Sequence, residues 1–198
     1  MIGGLHAAHA YGIEHAVPVD PVDVIVPDCL SARHVGWLRV RRSILDDPAV
    51  VVRGPLRFSN AARAVLDAAV ATGSHDTAAA IGIESVQRGV TTLQQLQHEY
   101  SLRNRRHLTL ARTALDAAAT GAWSVPEAHL ATAISRSRLL PTPWLNPVLR
   151  SPASERLTCP DLWFDDVALA VMVHSRRFHA NPADWERTVA ADARLVAA

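Results

Sequence analysis

A chain of 198 residues with 49% hydrophobic content has room for one ordinary domain or two small ones, and enough apolar residues for a real core. Its formal net charge of +1 carries no global basic signature, so any nucleic-acid contact has to rest on local patches. No run approaches the roughly 18 apolar residues of a membrane helix, and the start MIGGLHAAHAYGIEHA lacks the basic and apolar regions of a signal peptide, which predicts a cytoplasmic protein without a membrane partner.

Cys29 and Cys159 form neither a metal-spaced pair nor a disulfide framework. All 20 basic residues are arginine, a bias that a preference for Arg and Ala codons explains. It also leaves no lysine for general base, Schiff-base or phosphate work, so phosphate contacts fall to Arg, His, backbone amides or helix N-termini.

In chain order, residues 5 to 16 have moderate helix character. PVDVIVP, GWLRVRR at 36 to 42, PAVVV and LRF have strand composition, which predicts a small sheet. Arg39, Arg41 and Arg42, with Arg33 and Trp37 nearby, form the densest basic and aromatic group in this half. They read either as a nucleic-acid patch or as a solvated strand face.

From Ser59 the period changes to helix. Ser59 or Asn60 caps AARAVLDAAVA, a second helix spans about 75 to 88 and stops at Gly89, and Thr91 or Thr92 opens LQQLQHEYSL. After the basic knot of Arg103, Arg105 and Arg106 comes LTLARTALDAAAT, ending at Gly121. That knot is placed for phosphate, or for pairing with helix C-terminal carbonyls.

SVPE at 124 to 127 then has the form of a capping box, with Ser124 at the cap and Glu127 three positions on. LLPTPWLNPVL, with its prolines, is extended. Next, LTCPDLWFDDVALAVMVHSRRFH reads as a hairpin turning at Asp165-Asp166, in which Val167, Leu169, Val171 and Val173 share the core face. Asp161, His174 and His179 are the polar exceptions in this apolar stretch, and each needs water, a hydrogen bond or a metal. Residues from Asn181 on form a last helix. Nothing follows it, so one sheet edge is expected to lack a strand.

SVPEAHL, LPTPWLNPVL, CPDLWFDDVALAV and VMVHSRRFHANPADWERTVAADARL together resemble the very-short-patch-repair-like endonuclease domain, a branch of the PD-(D/E)XK nuclease superfamily in actinobacterial proteins. AAHAYGI, VDVIVP, LRVRR and SNAARAVLDAA resemble the segment that precedes this domain in such proteins, which is likened to an abortive-infection antitoxin. The resemblance implies an α+β protein: an antitoxin-like segment over 1–121, with a small sheet and a helical middle, then a restriction-endonuclease-like α-β-β-α core over 122–198, short at its C-terminus.

Carried over by residue, the resemblance makes Glu127 the acid of the first core helix and Asp161 the metal-binding aspartate. Where the usual second acid of the motif would stand there is Met172, a poor partner for Mg²⁺. In the mismatch-repair branch, Asp161 and the Val173 carbonyl would hold Mg²⁺, and His174 or His179 would activate water. Arg176 and Arg177 stand beside them as phosphate clamps. Two readings follow. In one, the protein is a nuclease-fold, nucleic-acid-binding regulator that has lost catalysis, with DNA, a toxin-like protein or a second copy as partner. In the other, it is an active Mg²⁺-dependent DNA endonuclease.

Overall fold

The structure, a computed structural model, describes residues 1–44, 49–103, 108–173 and 182–196. It is a mixed α+β fold, and the chain divides into two compact units, Met1–Thr120 and Gly121–Ala198.

The first unit opens with α1 (Gly4–Ala10), followed by β1 (Val22–Pro27), β2 (Arg33–Val35), β3 (Leu38–Ser43), β4 (Val51–Arg53) and β5 (Leu56–Phe58). β1 runs parallel to β3, β3 antiparallel to β2, and β4 and β5 form a hairpin. The first residues of the chain join these pieces. Ile2 bridges Val24 on one side and Phe58 on the other. Its amide donates to the Arg57 carbonyl at 2.6 Å, and its own carbonyl accepts from the Ser59 amide at 2.9 Å. The Met1 carbonyl accepts from Ile25 at 2.8 Å, and the Gly3 amide donates to Asp23 at 2.9 Å. Residues 1–3 thus link β1 to β5 through single bridges on either side of Ile2. α1 is shorter than the helix expected over 5 to 16, because Gly12 takes φ 91°, a left-handed value that ends helical geometry. Ile13 and Ala16 are then buried from a loop.

Four helices complete this unit: α2 (Ala61–Ala71), α3 (His75–Gln87), α4 (Leu93–Ser101) and α5 (Thr109–Ala119). Asn60 caps α2 by accepting from the Arg63 amide, Ser74 caps α3, and Thr92 with Gln95 forms a reciprocal capping box on α4. Ala64, Val65, Leu66 and Ala68 of α2 are fully buried and join Leu5, Ile13, Phe58, Ile81 and Leu96 in one core. Small residues let the helices come close. A Cβ on Gly82 of α3 would lie 2.1 Å from the Ala114 carbonyl oxygen of α5.

The second unit has α6 (Val125–Ser135), β6 (Trp144–Leu145), β7 (Leu162–Phe164), a 3₁₀ turn at Asp165–Val167, β8 (Leu169–Val171) and α7 (Pro182–Val196). Its sheet is antiparallel in the order β6-β7-β8, so the proline-rich segment read as merely extended supplies a third strand. Ile134, Leu162 and Phe164 form the core, with Leu130, Leu145, Val171 and Val173 packed on it.

The expected core face of the hairpin is half corrected. Val171 and Val173 pack inward, but Val167 and Leu169 are 68% and 51% exposed. The turn is longer than Asp165-Asp166. It continues through Val167 to Ala168 at φ 49°, which carries both apolar residues past the core.

Because the backbone of α5 cannot be displaced cheaply, Gly82→Ala is expected to destabilise the first unit by about 2–3 kcal/mol. Chemical denaturation checks this; an unchanged midpoint would mean that the α3–α5 contact is looser than described.

Candidate functional site

Proline at 160 is fully buried and leads into Asp161 at the start of β7. The Asp161 backbone carbonyl accepts from the Asn146 amide at 3.1 Å, just beyond β6, and its side-chain Oδ2 accepts from the Val173 amide at 2.5 Å, just beyond β8. One residue therefore ties the same end of all three strands, and a charge-assisted bond of this length is a strong one. Val173, expected to lend a carbonyl to a cation, lends its N–H to the carboxylate.

Glu127 is buried at 6% exposure in the first turn of α6. The Ser124 hydroxyl donates to its Oε1 at 2.6 Å, the Trp123 amide donates to its Oε2 at 2.8 Å, and the Glu127 amide donates to Ser124 Oγ at 3.4 Å. This is a capping box displaced by one residue, with the carboxylate reaching the amide before the cap rather than that of the cap itself. Both carboxylate oxygens are engaged by the helix start.

Both acids act electrostatically on a residue that was not a site candidate, Cys159. The Cys159 thiol is pushed above its ordinary pKa first by burial, then by the charge of Asp161, with Glu127 adding to the same effect and Arg156 opposing it. Glu127 and Asp161 thus act on one neighbourhood. Among the described residues, no group of three His, Cys, Asp or Glu side chains is placed to hold a metal. Asp161 Oδ2 and both Glu127 carboxylate oxygens already accept hydrogen bonds, and a Cys159 thiol would add no hard oxygen of the kind Mg²⁺ takes. His174, His179, Arg176 and Arg177 lie outside the described residues, as do Arg105 and Arg106.

Comparison with protein-family models, curated proteins and solved structures finds no match. The reading of this site rests on its residues.

The basic candidates of the first unit separate into three environments. Arg39 lies opposite Asp23 in the β1–β3 register and makes a bidentate pair with it, Nε to Oδ1 at 2.5 Å and Nη2 to Oδ2 at 2.7 Å. That hydrogen-bonded carboxylate raises the Arg39 pKa against burial. Arg41, two residues on along the same face, comes within 3.8 Å of the same acid. Arg42 points to the other face, which it shares with Arg33 through the β2–β3 register. The expected patch is therefore split, and only Arg42 and Arg33 stand away from Asp23.

Arg103 is corrected more fully. Rather than meeting phosphate, its guanidinium is nine-tenths buried, bonded to Asp67 at 2.8 Å, and directed at Glu99 and at the Arg63 carbonyl. Burial raises the Glu99 pKa, which Arg103 and Arg63 only partly offset. Sequence spacing could not separate this interior arginine from its neighbours, because the partners come from α2 and α4.

Since Glu127 serves the helix start, Glu127→Ala is expected to lower the unfolding free energy of the second unit by about 1–2 kcal/mol. Thermal denaturation reads this. A side chain kept only for catalysis would leave the transition unchanged or raise it.

Proposed function

We propose that the protein is a nucleic-acid-binding regulator whose second unit has a nuclease-like plan without metal-dependent cleavage. The supporting observation is the commitment of Glu127 and Asp161 to backbone amides and a hydroxyl, at the two positions where the resemblance expects the catalytic acids. Met172 stands where the next acid of the motif would be, and a thioether adds no hard oxygen. The exposed Arg33 and Arg42, which share the sheet face away from Asp23, are the phosphate contacts proposed for the first unit. DNA is the proposed ligand, and an antitoxin-like role alongside a protein partner is the setting that the first unit's resemblance suggests. No helix among the described residues is long and apolar enough to cross a membrane.

The active-endonuclease reading keeps one supporting observation, that the charges of both Asp161 and Glu127 raise the Cys159 pKa. It would assign Mg²⁺ to Asp161 and the Val173 carbonyl, with His174 and His179 moving protons.

Incubation with supercoiled, mismatched and single-stranded DNA in Mg²⁺ or Mn²⁺ decides between the two. The proposal expects no cleavage, together with salt-dependent DNA retention that weakens when Arg33 and Arg42 are replaced by Ala, the salt slope falling by about 0.9 for each phosphate no longer neutralised. Metal-dependent cutting that Asp161→Ala abolishes would overturn it in favour of the enzyme.

A further inference from the structure

The face of the second unit's sheet opposite its core carries a row fixed by register. Trp144 of β6 lies directly across from Trp163 of β7, and Trp163 across from Ala170 of β8. Their neighbours Leu145 and Leu162 turn into the core, so side-chain alternation puts both indoles on the outer face. Trp144 is 65% exposed. A tryptophan placed for stability instead buries most of its roughly 150–250 Å² of surface. Trp163 is half-buried, and its indole N–H donates to Asp165 Oδ1 at 3.0 Å, which holds the ring in place. Ala170 is too small to close the row.

A second observation gives the row a charge direction. The excursion that joins β6 to β7 brings Arg150 and Arg156 together as antiparallel bridge partners. Like charges set directly opposite each other repel, and among the described residues neither arginine forms a salt bridge. Arg150 Nη1 donates to the Ser154 carbonyl at 2.9 Å, which fixes its position without neutralising it. Asp165 and Asp166 stand at the opposite, turn end of the same hairpin. The sheet thus carries two indoles on its outer face, with two arginines in the loop that connects β6 to β7 and two acids at the β7–β8 turn.

We propose that this face binds single-stranded nucleic acid, with unpaired bases stacked on Trp144 and Trp163 and the phosphate backbone running over Arg150 and Arg156. The proposal rests on the nucleic-acid reading above and assigns it a substrate class. Aromatic rings on an open sheet face meet the π-faces of bases only where those bases are unstacked, which a duplex hides and a single strand offers. Uncompensated arginines beside the rings match the phosphates that such a strand carries.

Fluorescence anisotropy of the full chain tests this, using a labelled oligothymidine of about 12 nucleotides and a labelled duplex of the same length. Trp144→Leu is expected to weaken oligothymidine binding by about 5- to 150-fold, Trp144→Phe to retain most of the affinity, and duplex binding to stay unchanged. Arg150→Ala with Arg156→Ala should flatten the salt dependence for the single strand. Trp144 is mostly exposed, so its variants keep the wild-type circular dichroism, and Trp163→Leu provides a second reading of the same loss. Wild-type oligothymidine affinity in Trp144→Leu overturns the proposal, as does equal loss with Leu and Phe, which would mark a shape-matched protein contact. Duplex binding with no single-strand component overturns this inference alone. Failure to bind either probe overturns the nucleic-acid reading as well.

Discussion

The second unit depends on a single carboxylate. Asp161 sits where β6, β7 and the chain beyond β8 end together, and it satisfies a backbone amide from each flank, one through its carbonyl and one through its side chain. Strands of two or three residues have little ladder of their own, so the bond to Val173 holds the register that places Leu162, Phe164 and Val171 on the core and the tryptophans outside it. The same bond shapes the chemistry. The carboxylate oxygen that accepts the short Val173 amide bond has one lone-pair direction already taken. Glu127 makes a similar commitment at the start of α6.

In the first unit the corresponding constraint is the burial of charge. Asp23, Arg63, Asp67 and Glu99 are all buried, and Arg103 is nearly so. Ions in such a place persist only when paired, and removing one partner costs more than the pair contributes. Arg39 and Arg103 are accordingly held by acids, while Arg42 and Arg33 on the opposite sheet face are left to meet other partners.

Much of the fold was legible because local signals agreed. Period-two runs marked β1 and β3, Asn60, Thr92 and Ser124 marked helix starts, and Gly89 and Gly121 marked stops at positive φ. What was not legible depends on register or on distant partners. Ile2 occupies one sheet position and so has no period to read. Trp144 and Trp163 are 19 apart in sequence and become a pair only through the β6–β7 ladder. Val167 and Leu169 were misplaced because the turn length is set by Ala168 in the left-handed region, a conformation alanine does not advertise. Glu127 and Asp161 were singled out from sequence, yet their bonding partners, the Trp123 and Val173 amides, are backbone groups that any residue would supply.

The most direct test of the central claim is a calorimetric titration of Mg²⁺ and Mn²⁺ into wild type and Asp161→Ala, paired with the unfolding free energy of each. If Asp161 serves the backbone, neither protein gives a saturable heat, and the variant is less stable by about 1.5–3 kcal/mol, the cost of a hydrogen bond to a charged group. Saturable metal binding by wild type that the variant loses, with no change in stability, would contradict it.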